Sequence, residues 1–287
     1  MQPGTALHRI AERTERLSAL DGLAGPVARG ADRAMRAAGI KSVLSGSWLG
    51  HPLHPLATDA VIGSWTMAAI LDLRRERRAA RTLVGLGVLA ALPTAASGVS
   101  DWADTPDARV RRMGLVHAAS NAAALLLNAA SYLTRRAGRD GAGARLTAAS
   151  ALPLTVGGFL GAHMAYARGV GVSRTAFGEQ IDDWTPLDLA APPTEGWTAA
   201  DVHGLPVLAR LGPGEALGVV AAICTHCGAR LQPAPDAGET LRCSADGSAF
   251  GAADGAVLDG PATTPIPRFE ARRAADEGVE VRTAAVA

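Results

Sequence analysis

The feature that most constrains this chain is a series of four apolar stretches, Leu53–Leu73, Thr82–Ser100, Met113–Leu133 and Leu146–Tyr166. Each is close to the roughly 20 residues a helix needs to cross the hydrocarbon of a bilayer. Asp59 and Asp72 interrupt the first, whereas the other three contain no Asp, Glu, Lys or Arg. Gly, Ala, Ser and Thr recur along them, and such small residues let helix backbones approach closely in lipid. The alternative of a soluble bundle would need four consecutive core helices of unusual uniformity. Four membrane spans are therefore expected, in a multi-pass protein of the cell membrane.

Basic residues crowd the short connections after the first and third stretches, among them Arg74, Arg75, Arg77, Arg78, Arg81, Arg135, Arg136, Arg139 and Arg145. The opposite side carries Arg36, Lys41, Arg109, Arg111, Arg112, Arg168 and Arg174. The positive-inside rule leans toward both termini outside by a small margin, which leaves the side of the C-terminal domain open. Residues 1–47, with Arg9, Arg13, Arg16, Arg29, Arg33 and Arg36 among Leu and Ala, contain no apolar core of signal-peptide type. They are expected to form an amphipathic helix at the membrane surface or a solvated one. The net charge of +1 gives no field to draw the chain to nucleic acid.

Past residue 172 the composition changes. Pro186, Pro192 and Pro193 mark a linker over 173–197. Short strand-like pieces follow at Pro206–Leu211, Leu217–Ile223, Ala256–Leu258 and Phe269–Arg272, so residues 198–287 read as a small all-β domain. The expected fold is thus mixed, with a four-helix transmembrane bundle over 48–172 and a β domain after it.

Four antiparallel spans place the start of the first and third and the end of the second and fourth on one side. His51 and His54, His117 and His163 all fall there, with Asp59 one turn into the first span. Ionisable groups at membrane depth are costly and usually serve a site or a partner. One reading is a quinone or haem pocket, with His117 and His163 as ligands or donors and Asp59 orienting them. The other leaves these groups bonded to backbone, headgroups or water.

The three cysteines lie between 224 and 243 and suit metal better than a disulfide scaffold. Cys224-Thr225-His226-Cys227-Gly228 is followed by Cys243-Ser244-Ala245-Asp246-Gly247-Ser248-Ala249-Phe250. Two loops that each carry a thiolate, the first with a nearby imidazole, can close on one metal centre. On these motifs and the trailing Gly260-Pro261-Ala262-Thr263-Thr264-Pro265, residues 202–273 resemble a Rieske-type ferredoxin domain. Gly50-His51-Pro52-Leu53-His54-Pro55, Leu92-Pro93-Thr94-Ala95, Gly114-Leu115-Val116-His117 and Gly161-Ala162-His163 make residues 48–172 similar to the DUF2231 family of predicted membrane proteins.

The Rieske resemblance implies a [2Fe-2S] cluster with Cys224 and Cys243 on one iron and His226 on the other. Where the family places its second histidine this chain has Asp246, an anionic and harder ligand. Cys227 is an additional thiol beside the site. The resemblance implies electron transfer, by a relay and not a catalyst in its own right, with a lipid bilayer, a redox protein and quinone as partners. Two alternatives remain: a Rieske fold without its cluster on a partner-binding scaffold, and a mononuclear zinc or iron site of Cys224, His226, Cys227 and Cys243.

Overall fold

A computed structural model describes residues 6–189, 191–193, 196–211, 216–236, 238–274 and 278–284. The chain divides into two compact units, one of residues 1–44 and 52–171, the other of residues 45–51 and 172–287.

The first unit is helical: α1 Ala6–Glu15, α2 Asp21–Ala37, α3 Lys41–Ser45, α4 Leu53–Leu73, α5 Arg77–Ala103, α6 Ala108–Arg136 and α7 Asp140–Arg168. Four of these, α4 to α7, are long and apolar enough to cross a membrane. The expected first span has the bounds of α4, and the other three helices outrun their apolar stretches, because charged residues at their ends continue the same hydrogen-bonded turns. Asp107 caps α6 by accepting from the Arg109 N–H at 2.8 Å.

The interior of this unit is small and its outside is large. Ala68, Ala80, Ala91, Ala124, Ser97 and Ser131 are buried, while Leu86, Leu89, Leu92, Leu126 and Leu152 are exposed. A water-soluble bundle would bury those leucines, and a large exposed apolar surface marks contact with lipid or a partner. Glycines admit the few bulky groups inside: a Cβ at Gly87 would fall 2.3 Å from Trp65, and one at Gly114 2.2 Å from Trp102.

Polar groups that enter the bundle are paired. Arg135, with its side chain fully buried, holds Asp72 through two bonds of 2.7 and 2.6 Å and also donates to Ser131. Ser131 Oγ in turn donates to the Gly143 carbonyl of α7 at 2.7 Å, and Asn128 donates to Ser150 at 2.8 Å. Arg135, counted from sequence as a loop cation, thus ties α4 and α6 to α7. The N-terminal segment is helical, as expected, and packs on the bundle. α1 packs on α6 and α7, α2 packs on α5 and α6, and Ala11, Ala24, Ala28 and Met35 are buried.

The second unit is built of β1 Thr185–Pro186, β2 Asp188–Leu189, β3 Thr198–Val202, β4 Leu205–Leu211, β5 Leu217–Ala221, β6 Leu231–Pro233, β7 Thr240–Cys243, β8 Ala249–Gly251, β9 Val257–Asp259, β10 Arg268–Arg273 and β11 Val279–Thr283. Antiparallel pairing forms one sheet in the order β1-β11-β10-β5-β4-β3-β2 and a second in the order β6-β7-β8-β9. Alternation along β4 and β5 divides the interior, as a period of two requires. Val207, Ala209, Val219 and Ala221 enter one core, whereas Leu208, Val220 and Ala222 enter the other with Cys224, Leu241, Cys243 and Phe250. The expected linker is partly sheet, because β1 and β2 pair with β11 and β3. Pro186 fits there because β1 is an edge strand, where a missing N–H costs little.

Replacing Arg135 with Met strands the Asp72 carboxylate and is expected to cost about 3 kcal/mol, as breaking a buried ion pair does. Unfolding of the full chain in detergent checks this, and the double replacement of Arg135 with Met and Asp72 with Leu should recover most of the loss.

Candidate metal centre

The first motif loop enters β6 and the second leaves β7, its antiparallel neighbour. The first runs from the end of β5 to β6 and the second from β7 to β8, and the β6–β7 pairing sets Leu231 opposite Cys243. Their backbones are folded alike. In the first, the Cys224 N–H donates to the Ala229 carbonyl at 2.8 Å and the Gly228 N–H to the Cys224 carbonyl at 2.9 Å. In the second, the Cys243 N–H donates to the Ser248 carbonyl at 2.8 Å and the Gly247 N–H to the Cys243 carbonyl at 2.9 Å. Each reversal needs a left-handed residue at its fifth position, supplied by Gly228 at φ +80° and Gly247 at φ +79°.

A third segment braces both loops. Thr225 Oγ1 donates to the Thr264 carbonyl at 2.7 Å, and the Ala262 N–H donates to Ser248 Oγ at 3.0 Å. Thr225 and Ser248 are buried, so these bonds are made away from water. The Ala262 carbonyl accepts from Ser47 Oγ at 2.8 Å.

The result is a convergence of donors. Atoms of Cys224, Cys227, Cys243 and Asp246 all lie within 4.8 Å of one another. Cys227 Sγ is 3.4 Å from Cys243 Sγ, and Cys224 Sγ is 3.4 Å from Asp246 Oδ2. His226 reaches this group through Asp246, with Nδ1 2.9 Å from Oδ2.

The electrostatics follow from these contacts. Hydrogen bonding from the Cys227 thiol lowers the Cys224 thiol to about 7, helped by the N–H groups of Cys227 and His226 against burial and the Asp246 charge. The same contact and burial push Cys227 far up, and burial raises Cys243 to about 11. Burial works to raise Asp246 as well, but the His226 hydrogen bond, the Ser248 N–H and the neighbouring thiols hold it well below the carboxylate range. A lowered thiol pKa favours the thiolate, the form that binds metal.

A Rieske cluster takes two thiolates and two imidazoles. Here three thiols and one carboxylate converge with one imidazole bonded to the carboxylate, so the donors are soft enough for an iron–sulfur centre, with a carboxylate where the second imidazole would stand. Of the five metal candidates read from the sequence, Cys224, Cys227, Cys243 and Asp246 converge and His226 adjoins them through Asp246.

The membrane-side candidates are not gathered into one site. His54 Nδ1 bonds the Thr94 carbonyl at 2.9 Å and His117 Nδ1 the Gly157 carbonyl at 2.8 Å, with their ring centroids 6.2 Å apart. Asn121 Nδ2 lies 3.1 Å from His117 Nε2, so both ring nitrogens of His117 are engaged within the bundle. His163 stands with His8 instead, at 5.6 Å between centroids, and 3.6 Å from Glu15. His8 joins it through the packing of α1 on α7, a pairing that carries no local sequence signal. Asp59 is exposed on α4 and His51 belongs to the other unit.

Two helix-and-sheet units of these kinds define a membrane protein with a metal-binding β domain. Residues 50–174 match the family described as Predicted membrane protein (DUF2231), and residues 196–270 match the Rieske [2Fe-2S] domain. The chain therefore joins a DUF2231 membrane domain to a Rieske domain. Among solved structures it is similar to the ferredoxin of carbazole 1,9a-dioxygenase from Nocardioides aromaticivorans IC177, at 19% identity and TM-score 0.29, over 35% of this chain and 98% of that one. It is also similar to a chain in the complex of reduced oxygenase and oxidized ferredoxin in carbazole 1,9a-dioxygenase, at 26% identity and TM-score 0.29, over 36% of this chain and 94% of that one. No curated protein matches the chain.

Ser248→Ala removes the acceptor of the buried Ala262 N–H and is expected to cost about 1–3 kcal/mol. Unfolding of the full chain measures the loss, and Ser248→Thr should restore part of it.

Proposed function

We propose that this chain is a membrane-anchored electron-transfer protein whose redox group is an iron–sulfur centre of the Rieske domain. The observation that carries the reading is the convergence of three cysteines and Asp246 from two like-folded loops onto one point. An iron–sulfur centre there would supply a one-electron couple. Cys224 and Cys243 would hold iron through buried sulfurs, where their cores exclude water. His226 and Asp246 complete the donor set on the more exposed side, which is where an electron would enter or leave.

The anionic Asp246 in place of a neutral imidazole lowers the potential, because it stabilises the more positive, oxidised state. Histidine ligation is what lifts Rieske centres above about −150 mV, against about −400 mV for all-cysteine ferredoxins. The centre of this chain is placed toward the lower value. That suits exchange with another low-potential redox protein more than with a high-potential acceptor.

Within the membrane domain, His54 and His117 each bond a carbonyl of a neighbouring helix through Nδ1, and His117 Nε2 is engaged by Asn121, which supports a role in tying helices together.

The test is the full chain expressed with ample iron, purified anaerobically in detergent, and assayed for iron, acid-labile sulfide and the paramagnetic signal after dithionite. The reading predicts bound iron, sulfide and a signal that appears on reduction. A colourless, iron-free protein under those conditions contradicts it and favours a partner-binding scaffold.

A further inference from the structure

The N-terminal helix α2 has three kinds of surface. By the helical period of 3.6 residues, Ala24, Ala28 and Met35 share one face, which is buried, and α2 packs on α5 and α6. Leu23, Val27 and Ala34 share the flank beside that face, and Leu23 and Val27 are 55% and 43% exposed. Arg29 and Arg33 stand on the far side, both exposed. An apolar flank beside an arginine-bearing side is the pattern of a helix lying at a bilayer interface.

The charges divide in the same sense. Arg112 bonds Asp21 at 2.6 Å, Arg168 bonds Glu15, and Arg36 bonds Asp32 at 2.9 Å. Lys41, just past α2, is buried against Asp104 at 2.7 Å. Carboxylates of the segment are therefore taken up in pairs. Arg13, Arg16, Arg29 and Arg33 are exposed with no carboxylate in ion-pair distance among the described residues, and Glu12 alone of the α1 and α2 acids stands unpaired against them.

We propose that α1 and α2 bind the headgroup layer of an anionic leaflet, with Leu23 and Val27 against acyl chains and Arg13, Arg16, Arg29 and Arg33 on lipid phosphates. The apolar flank continues a lipid-facing surface, because α5 and α6 are long and apolar enough to span the membrane. The depth agrees as well. α2 is tied at its start to Arg112, in the second turn of α6, and Lys41 donates to the Ser100 carbonyl near the end of α5 at 2.7 Å. Those are span ends, where headgroups lie. A guanidinium meets a phosphate through paired N–H donors, and each arginine contributes about fivefold to association with an anionic surface at low salt.

The experiment uses the full chain in nanodiscs at low salt, containing phosphatidylglycerol or phosphatidylcholine that carries a photoreactive acyl chain. Cross-linked peptides are located by mass spectrometry, so the readout is local to α2 and independent of the metal centre. The proposal predicts that phosphatidylglycerol cross-links to α2 in preference to phosphatidylcholine. Arg29→Gln with Arg33→Gln should lower that preference about tenfold or more, whereas Arg29→Lys with Arg33→Lys keeps most of it. Equal cross-linking of the two lipids, no change in the Gln variant, or the same loss in the Lys variant overturns the proposal. A dimer in detergent that Leu23→Glu dissociates gives the flank to a second copy of the chain and overturns it too.

Discussion

The metal-binding end of the β unit depends on one backbone constraint. Two chain reversals must bring sulfur and oxygen donors to a common point, and each does so through an N–H from a left-handed glycine back to the carbonyl of its leading cysteine, Gly228 to Cys224 and Gly247 to Cys243. A side chain at either glycine would be strained in that conformation. The reversals bring Cys224, Cys227, Cys243 and Asp246 within 4.8 Å of one another. The buried bonds of Thr225 and Ser248 to the 262–264 segment then hold the two loops in register.

A related economy governs the helical unit. Lipid offers no water to a polar side chain, so each one that enters must bring its own partner. Arg135 finds Asp72, Asn128 finds Ser150, and His54 and His117 find carbonyls on neighbouring helices. The bulk of the packing is left to Ala, Gly and Ser inside, with Leu turned outward. The histidines, which on sequence grounds invite a cofactor, act in this structure as ties between helices.

Much of this was legible in the sequence. Apolar runs free of charge gave the four spans, because length and hydropathy are local properties. Strands such as Leu205–Leu211 and Arg268–Arg273 were visible through alternation, whereas the two-residue β1 and β2 were not, since only pairing defines them. The cysteine loops were visible as motifs. What was hidden depends on contacts distant in sequence. Arg135 reads as a loop cation until Asp72, 63 residues away, is placed against it. His8 reads as an isolated residue until α1 packs on α7, and Asp59 reads as part of a polar cluster until its face of α4 proves exposed. Cys227 is the most instructive case. In the sequence it is an additional thiol beside the motif, and only the folded loops set its sulfur 3.4 Å from that of Cys243.

The claim on which the account turns is that these loops hold iron through sulfur. Iron K-edge X-ray absorption of the full chain in detergent tests it most directly. The account predicts a first shell dominated by sulfur, collapsing to lighter scatterers when Cys224 and Cys243 are both replaced by Ser. A first shell of nitrogen and oxygen alone in the unmutated protein would contradict it.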